Sequence, residues 1–274
     1  MKAYWYCLSG IFFREWLRFW QQRTRLLSAL VRPLLWLIVF ASGFRAALGI
    51  AIIAPYDTYI TYETYIVPGL VCMILLFNGM QSSLSMVYDR EMGSMRILLT
   101  SPQPRSLLLI CKLMASACIS IVQVYIFLAI TWVYGVQPPW LGLLSALPAL
   151  FMVALMLGAS GLLLSNGIRQ LENFAGVMNF VIFPLFFLSS ALYPLWKMQE
   201  ASLWLYWICL INPFSHAVEL VRYALYLQFN GSALLVCAAT TLICLILAVL
   251  TFSPKRTSLR SANANNSHDK RAAL

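Results

Sequence analysis

Charged residues are scarce in this chain. Only 10% of its 274 residues are Asp, Glu, Lys or Arg, and just nine are acidic, whereas 61% are hydrophobic. So few charges cannot cover the water-exposed surface of a soluble globular protein of this length. The composition therefore excludes an ordinary soluble enzyme or binding domain and indicates a membrane protein.

Patterns that bind metals or form disulfides are also missing. The seven cysteines are scattered, form no CxxC pair and lie mostly in apolar runs, where cysteine acts as a small apolar residue. The chain has two histidines, His216 and His268. Because the HxxE pattern at His216 supplies only two ligands, we expect no bound metal.

The stretch NPFSHAVELVR places Ser215 beside His216 and Glu219 one helical turn further on. Hydrolases use such groups, so an intramembrane enzyme is one interpretation, although adjacent Ser and His side chains are poorly placed to face each other. The interpretation that we favour is a helix start, with Asn212 as the N-cap and Pro213 at the first helical position.

A phosphate-binding loop is the third absence. The pattern GxxxxGK[ST] occurs nowhere in the sequence, so the chain cannot bind nucleotide phosphates in the P-loop manner. If ATP drives this protein, we expect another polypeptide to bind the ATP.

Long hydrophobic runs are what the chain has instead. Six stretches reach the roughly 20 mainly apolar residues that cross a hydrocarbon core about 30 Å thick. They are residues 26–48, 66–88, 106–134, 142–164, 174–195 and 233–252. Because lipid cannot hydrogen-bond to an open backbone, each stretch is expected to be a helix. The predicted fold is an all-α polytopic membrane protein with six transmembrane helices in one domain, residues 26–253.

The basic residues predict the orientation. With both termini in the cytoplasm, sixteen lysines and arginines fall on the inner side and three, Arg45, Lys197 and Arg222, on the outer side. This asymmetry follows the positive-inside rule, and an odd number of spans would divide the two basic termini. The net charge of +10 is therefore explained by topology and anionic lipid rather than by nucleic-acid binding.

The two ends differ from the spans. Residues 1–25 carry aromatic and leucine side chains at helical spacing and arginines on another face. This pattern predicts an amphipathic helix lying in the cytoplasmic interface rather than a secretory signal. Residues 254–274 have almost nothing apolar to bury and are expected to form a disordered cytoplasmic tail.

The first cytoplasmic loop, residues 88–105, combines charge with an apolar ridge. Met92, Met95 and Leu99 recur at helical spacing beside Arg90, Glu91 and Arg96, and Pro102 disfavours further helix. Cytoplasmic loops generally collect basic residues, which explains the arginines, but this tendency does not explain the methionines and the leucine. A short amphipathic helix tied to two spans is suited to fit a groove in a partner protein.

The run VPGLVCMILLFNGMQSSLSMVYDREMGSMRILLTSPQPRSLLLICK resembles the central signature of the type-2 permeases of ATP-binding-cassette (ABC) transporters. The matching positions are Pro68, Gly69, Asp89, Arg90, Glu91, Gly93, Ser94, Leu98, Leu99, Pro102 and Arg105. The stretch ENFAGVMNFVIFPLFFLSSALYPL resembles the family's fifth span, and NPFSHAVELVRYAL resembles the segment before the last span. The three motifs occur in the family's order and spacing.

This resemblance implies a permease half with an interfacial N-terminal helix, a cytosolic coupling helix after the second span and short outer helices over 196–231. It implies a homodimer of permeases in the cell (inner) membrane and a separate ABC ATPase subunit, which binds the ATP and Mg while this chain holds no cofactor. The residues expected to couple to the ATPase are Asp89, Arg90, Glu91, Met92, Gly93, Met95, Arg96, Leu98 and Leu99.

Polar residues inside the predicted spans are candidates for a substrate path. They are Asn78 and Gln81 in the second span, and Asn179, Ser189 and Ser190 in the fifth, where Pro184 also frees a backbone carbonyl. Hydrogen bonding between packed helices is an equally good explanation for them. Near the outer boundary, His216, Glu219 and Arg222 are candidates for an outer gate, with simple solvation as the alternative.

Two other functions compete with an ATP-driven exporter. A secondary transporter also has apolar spans, but such carriers usually couple through carboxylates inside the membrane, and here every acidic residue maps to a loop or a span end. An intramembrane enzyme depends only on Ser215, His216 and Glu219. Aromatic-rich spans suit an amphiphilic or lipid-like substrate, and export is the direction that the resemblance implies.

Overall fold

The computed structural model describes residues 2–21, 23–44, 54–56, 60–92, 105–168 and 170–251. All regular structure in these residues is α-helical, which confirms the all-α part of the predicted fold class. In chain order the helices are α1 (Lys2–Gln21), α2 (Arg23–Phe44), α3 (Tyr62–Glu91), α4 (Arg105–Val133), α5 (Trp140–Gly167), α6 (Leu171–Phe187), α7 (Leu195–Ala201), α8 (Leu203–Ile211), α9 (Pro213–Leu225) and α10 (Gly231–Thr251).

Among the described residues, four helices are long and apolar enough to cross a membrane: α3, α4, α5 and α10. They match the predicted spans 66–88, 106–134, 142–164 and 233–252 to within a few residues. The predicted span 174–195 corresponds to α6, which has 17 residues. The predicted span 26–48 corresponds to the 22-residue helix α2, of which the structure describes the side chains of Ala29–Phe40. The chain therefore passes through the membrane several times.

The central helix of the fold is α3, which packs against α2, α4, α5, α6 and α9. Its close approach to α5 depends on glycine. A β-carbon on Gly79 would lie 2.9 Å from the backbone nitrogen of Gly158, and one on Gly161 would lie 2.6 Å from the Ser83 hydroxyl. Small residues allow two helix backbones to pack closely where no hydrophobic effect drives their association.

Helices α1 and α10 complete the packing on either side. α1 packs along α4, and α10 packs against α5 and α9. The predicted interfacial helix 1–25 corresponds to α1, and its location at the membrane surface stays a prediction. Gly93, Met95, Arg96, Leu98 and Leu99 of the first cytoplasmic loop, together with the tail 254–274, lie outside the described residues.

The chain between α6 and α7 folds into the core instead of lying on the surface. Ser189, Ser190, Ala191 and Leu192 are all buried. The Tyr62 hydroxyl of α3 donates to the Leu192 carbonyl at 3.0 Å. A β-carbon on Gly69 would lie only 2.5 Å from the Ala191 carbonyl oxygen, so this glycine lets the buried turn approach α3.

Helix α9 begins as the sequence predicts. The Asn212 side chain caps its N-terminus by accepting a hydrogen bond from the Phe214 backbone N–H at 2.9 Å, and Pro213 occupies the first helical position. The Asn212 amide also donates to the carbonyls of Leu185 and Leu188, at 2.9 and 2.6 Å. One side chain therefore both starts α9 and holds the end of α6.

Candidate coupling site and outer polar cluster

Asp89 lies in the last turn of α3, where its side chain is 8% exposed. Its Oδ1 lies 3.5 Å from Arg18 Nη2 on α1, and its Oδ2 lies 3.5 Å from Lys112 Nζ on α4. Two cations surround this carboxylate because an isolated ionised group is strongly disfavoured away from water. One side chain thus joins three helices.

Glu15 extends this network along α1. It is buried, and its Oε1 accepts a hydrogen bond from Arg14 Nη2 at 3.1 Å and lies 3.9 Å from Arg18 Nη1. Glu15, Arg18, Asp89 and Lys112 form the inner charged cluster, in which two carboxylates face two cations. The amphipathic helix α1 is therefore attached to the core through charge as well as through apolar packing.

Arg90 connects α3 to a different pair of helices. Its Nη1 donates to the Ser165 carbonyl near the end of α5 at 3.2 Å, and its Nη2 lies 3.5 Å from Asn166 Oδ1. The Asn166 amide in turn donates to the Ala248 carbonyl of α10 at 2.8 Å. The guanidinium is thus linked through one asparagine to α10, the last of the described helices.

Glu91 makes the third connection. Its Oε2 accepts a hydrogen bond from the Leu171 backbone N–H, the first residue of α6, at 3.2 Å. A carboxylate at this position is favourable because it meets the unsatisfied N–H groups and the positive end of the helix dipole. Glu91 therefore fixes the start of α6 to the end of α3.

The three consecutive residues reach different helices because successive side chains on a helix point about 100° apart. Asp89 faces α1 and α4, Arg90 faces α5, and Glu91 faces α6. The remaining residues of the predicted loop 88–105 follow directly after them. The start of this loop is thus bonded to α1, α4, α5 and α6.

The outer polar cluster lies at the other end of α3 and consists of Tyr65, Ser190, Ser215, Glu219 and Arg222. Arg222 Nη1 lies 2.6 Å from Glu219 Oε1, and its Nη2 donates to the Ser190 carbonyl at 2.9 Å. The Tyr65 hydroxyl donates to the same carbonyl at 3.0 Å. The Ser190 hydroxyl and backbone N–H bond to Ser215 of α9, both at 3.3 Å.

The electrostatics of this cluster favour a charged arginine. Burial alone opposes the charged form of Arg222, but Tyr65 and Glu219 outweigh it and raise the pKa of the guanidinium. Nearby, Tyr56 packs edge-on against Tyr226, with ring centroids 4.5 Å apart. Burial raises the pKa of Tyr226 to about 12, so both the cation and the neighbouring phenol keep their protons at physiological pH.

The sequence that contains these two clusters matches one known family over most of its length. The family described as ABC-2 type transporter matches residues 7–226, a range that includes both clusters. The chain belongs to the ABC-2 type transporter family. It is a multi-pass membrane protein and a permease of ABC transport systems.

Individual relatives agree with this assignment. The permease is 28% identical to the transport permease ycf38 of Porphyra purpurea over 217 residues, which cover 77% of this chain and 70% of the relative. It is 29% identical to ycf38 of Pyropia yezoensis over 230 residues, covering 81% and 75%. It is 31% identical to the multidrug ABC transporter permease YbhR of Escherichia coli strain K12 over 171 residues, covering 61% and 45%.

The structure separates the predicted coupling residues of the permease into two groups. Asp89 is buried and Arg90 is half-buried, and both bind other helices of the same chain, whereas Met92 is 62% exposed. Glu91 is exposed but bonded to α6. The charged residues therefore anchor the base of the loop, and the apolar ridge begins beyond them at Met92.

The residues predicted to line a substrate path lie in different environments in the structure. Asn78 is buried, and its amide donates to Gln123 Oε1 of α4, so it joins two helices. Ser189 and Ser190 are buried in the turn after α6, where Ser189 donates to the Phe186 carbonyl. Gln81 is half-buried, and Asn179 and Pro184 lie on the exposed face of α6.

The predicted gate residues lie on α9. Arg222 is buried rather than solvated, with its side chain 3% exposed, and it pairs with Glu219. His216 points elsewhere, since its Nε2 lies 3.0 Å from the Leu210 carbonyl of α8. Their role in gating stays a prediction.

Several residues that bond to the predicted site residues or belong to these clusters were not themselves predicted, namely Glu15, Arg18, Lys112, Gln123 and Tyr65. Three of them carried a usable signal in the sequence. Lys112 and Gln123 are polar side chains within the otherwise apolar sequence of α4, where lipid would penalise them. Glu15 is the single acidic residue among the first fifty and lies beside two arginines. The partner of Asp89 could not be chosen from sequence, because basic residues on several segments were equally available.

Proposed function

We propose that this permease is the membrane-spanning subunit of an ABC exporter that moves an amphiphilic or lipid-like substrate and is driven by a separate ATPase subunit. The proposal assigns six spans to the chain, with α2 and α6 added to the four longer helices and both termini in the cytoplasm of the cell (inner) membrane. Sixteen basic residues on the inner side against three outside support this orientation.

The connection of Asp89, Arg90 and Glu91 to five other helices is the observation that carries the proposal. Force applied to the loop after α3 reaches α1 and α4 through Asp89, α5 and α10 through Arg90 and Asn166, and α6 through Glu91. If a partner protein moves this loop from the cytoplasmic side, the loop must be firmly bonded to the membrane helices for its movement to reach them.

The ATPase is expected to dock on the loop itself. Met92 is exposed at the end of α3, and the sequence continues with Met95 and Leu99 at helical spacing. An apolar ridge of this kind suits a groove in a partner protein. ATP and Mg bind to that partner, since this sequence has no P-loop.

Two permeases and two ATPases are the proposed assembly. The apolar face of α6 supports an interface or a substrate path, because Phe180 is 79% exposed and lies beside the exposed Asn179. A polar amide on such a face is disfavoured against lipid, so it is expected to face protein or a water-filled cavity. The outer polar cluster would close this path on the outer side.

Co-purification tests the driving partner. The double variant Met95→Ala, Leu99→Ala should lose interface burial of about 1 to 3 kcal/mol and with it most of the bound ATPase subunit and export activity. Phe229→Ala, an exposed apolar residue between α9 and α10, is the matched control. Normal ATPase retention and export by the double variant would show that the docking surface is wrong, and transport by the permease alone would overturn the ATP-driven function.

A further inference from the structure

Arg32 holds a positive charge in the apolar part of the protein. It lies on the exposed side of α2, and its guanidinium carbon is 3.8 Å from the ring centroid of Phe77 on α3. Phe77 is the sixteenth of the 30 residues of α3, so the charge lies about halfway along the longest spanning helix. The sequence-based charge count places Arg32 on the cytoplasmic side, whereas its contact with Phe77 places it within the apolar zone.

The described part of the chain provides little to balance this charge. Among the described residues, no carboxylate pairs with Arg32 and no acceptor hydrogen-bonds to it, so the face of the Phe77 ring is its contact. A cation over an aromatic ring is attracted by the ring quadrupole, but all five N–H donors of the guanidinium still need acceptors. An ionised residue in a membrane-spanning segment usually marks a substrate or ion pathway.

None of the described spanning helices carries an acidic residue at this height that a second copy of the chain could supply. The four longest apolar helices have acidic residues only on α3, at its second residue, Glu63, and in its last three residues, Asp89 and Glu91. On α6 the acidic residue is Glu172, also the second of the helix. The remaining acids lie in α1, in the outer helices or outside the described residues. The described residues of this chain and of a second copy therefore offer no carboxylate at this height, which leaves the place open for an anion from another molecule.

The surroundings of Arg32 suit an amphiphile. Trp36, one turn along α2, packs edge-on against Phe186 and Phe187 of α6, with ring centroids 5.9 and 5.5 Å apart. Gln81, one turn along α3 from Phe77, is half-buried. Along the helices, therefore, aromatic rings lie one turn from Arg32 in one direction and a side-chain amide lies one turn from its contact Phe77 in the other.

We propose that Arg32 binds the anionic group of the transported amphiphile, whose apolar part lies against Trp36, Phe77 and the aromatic face of α6. This inference rests on the proposed transport function and narrows its substrate to acidic amphiphiles. Arg32 then gives the substrate carboxylate or phosphate charge-assisted hydrogen bonds that a neutral lipid cannot form.

Binding to the permease without its ATPase tests this site separately from the transport function. The purified chain is placed in nanodiscs of phosphatidylcholine, which has no net charge, and titrated with pyrene-dodecanoic acid and with its uncharged alcohol analogue. Energy transfer from tryptophan to pyrene reports binding. The wild-type chain should bind the acid about tenfold or more tightly than the alcohol, as expected for a hydrogen-bonded charge.

Matched variants identify the residue responsible. Arg32→Gln should lose about tenfold in affinity for the acid and keep its affinity for the alcohol, which also shows that the variant is folded, while Arg32→Lys should keep part of the preference. Lys197→Gln removes one positive charge from α7, where Lys197 pairs with Glu200, and should bind both probes like the wild type. Equal binding of acid and alcohol by the wild type, or an unchanged preference in Arg32→Gln, would overturn the proposal whether or not an ATPase drives the permease.

Discussion

Arg222 of α9 stacks on the ring of Tyr65 of α3, with its guanidinium carbon 4.1 Å from the ring centroid, and both side chains donate to the carbonyl of Ser190. This carbonyl belongs to the buried turn after α6. Two residues 157 positions apart in sequence therefore hold the same backbone atom. The position of the turn at the C-terminal end of α6 therefore depends on α3 and α9 together.

Removing the guanidinium should loosen this turn. Arg222→Gln leaves Glu219 without its cation and Ser190 with one donor fewer, and breaking a buried ion pair in this way costs about 3 to 5 kcal/mol. We expect a lower midpoint of thermal unfolding in detergent and impaired export. Lys197→Gln, which breaks the exposed pair with Glu200, is the control and should change stability by at most about 1 kcal/mol. If stability and export both survive Arg222→Gln, the outer polar cluster does not act as a gate.

Neutralising Asp89 should weaken the attachment of the first cytoplasmic loop to α1 and α4. Asp89→Asn preserves the shape of the side chain but leaves Arg18 and Lys112 close together without their carboxylate, at a cost of about 3 kcal/mol. We expect ATP hydrolysis by the assembled transporter to continue while export falls, measured in proteoliposomes.

A second substitution tests the cause of that defect. Asp89→Asn combined with Lys112→Met should recover part of the lost stability, because it removes the uncompensated buried cation. Glu172→Gln, at an exposed acidic residue in the first turn of α6, should behave like the wild type. Equal export defects in Asp89→Asn and Glu172→Gln would contradict a specific role for the inner charged cluster.

A double-mutant cycle can distinguish whether Asn78 joins two helices or lines a substrate path. Its hydrogen bond with Gln123 predicts a coupling energy of about 0.6 to 1.7 kcal/mol in a double-mutant cycle of Asn78→Leu and Gln123→Leu. The double variant should be more stable than the sum of the single variants implies, and it should still export substrate. Loss of export at unchanged stability would instead indicate that Asn78 contacts the substrate.

Gly79 should tolerate no β-carbon. Gly79→Ala places a methyl group 2.9 Å from the backbone nitrogen of Gly158, and this backbone cannot move without separating α3 from α5. Such overpacking costs about 1 to 3 kcal/mol. Gly176→Ala on α6 is the control, because no atom lies within 4 Å of its β-carbon position. Comparable unfolding midpoints for the two variants would argue against tight α3–α5 packing.

The fold class and the helix starts follow from local chemistry. The runs of apolar residues predict α3, α4, α5 and α10 closely, because a spanning helix satisfies its own backbone and needs no distant partner. Asn212 and Pro213 predict the start of α9 for the same reason, since a cap acts within one turn. The predicted spans 26–48 and 174–195 are matched less closely, because α6 has only 17 residues and the side chains of α2 are described only over Ala29–Phe40.

The roles of individual polar residues required the tertiary structure. The sequence shows that Asp89, Arg90 and Glu91 are unusual where they occur, but the choice of Lys112, Asn166 and the α6 N-terminus as their partners depends on which helices pack together. The same holds for Asn78, whose partner is 45 residues away.

Sequence alone thus assigns the apolar runs to lipid and the capping residues to helix starts. Tertiary packing was needed to show which charges neutralise one another, that Arg222 is buried, and that Arg32 lies against Phe77 with no carboxylate partner among the described residues. These interactions differ in their range along the chain. Backbone hydrogen bonding and hydrophobicity act within a few residues of sequence, whereas ion pairs and close glycine contacts form between segments that only packing brings within a few ångströms.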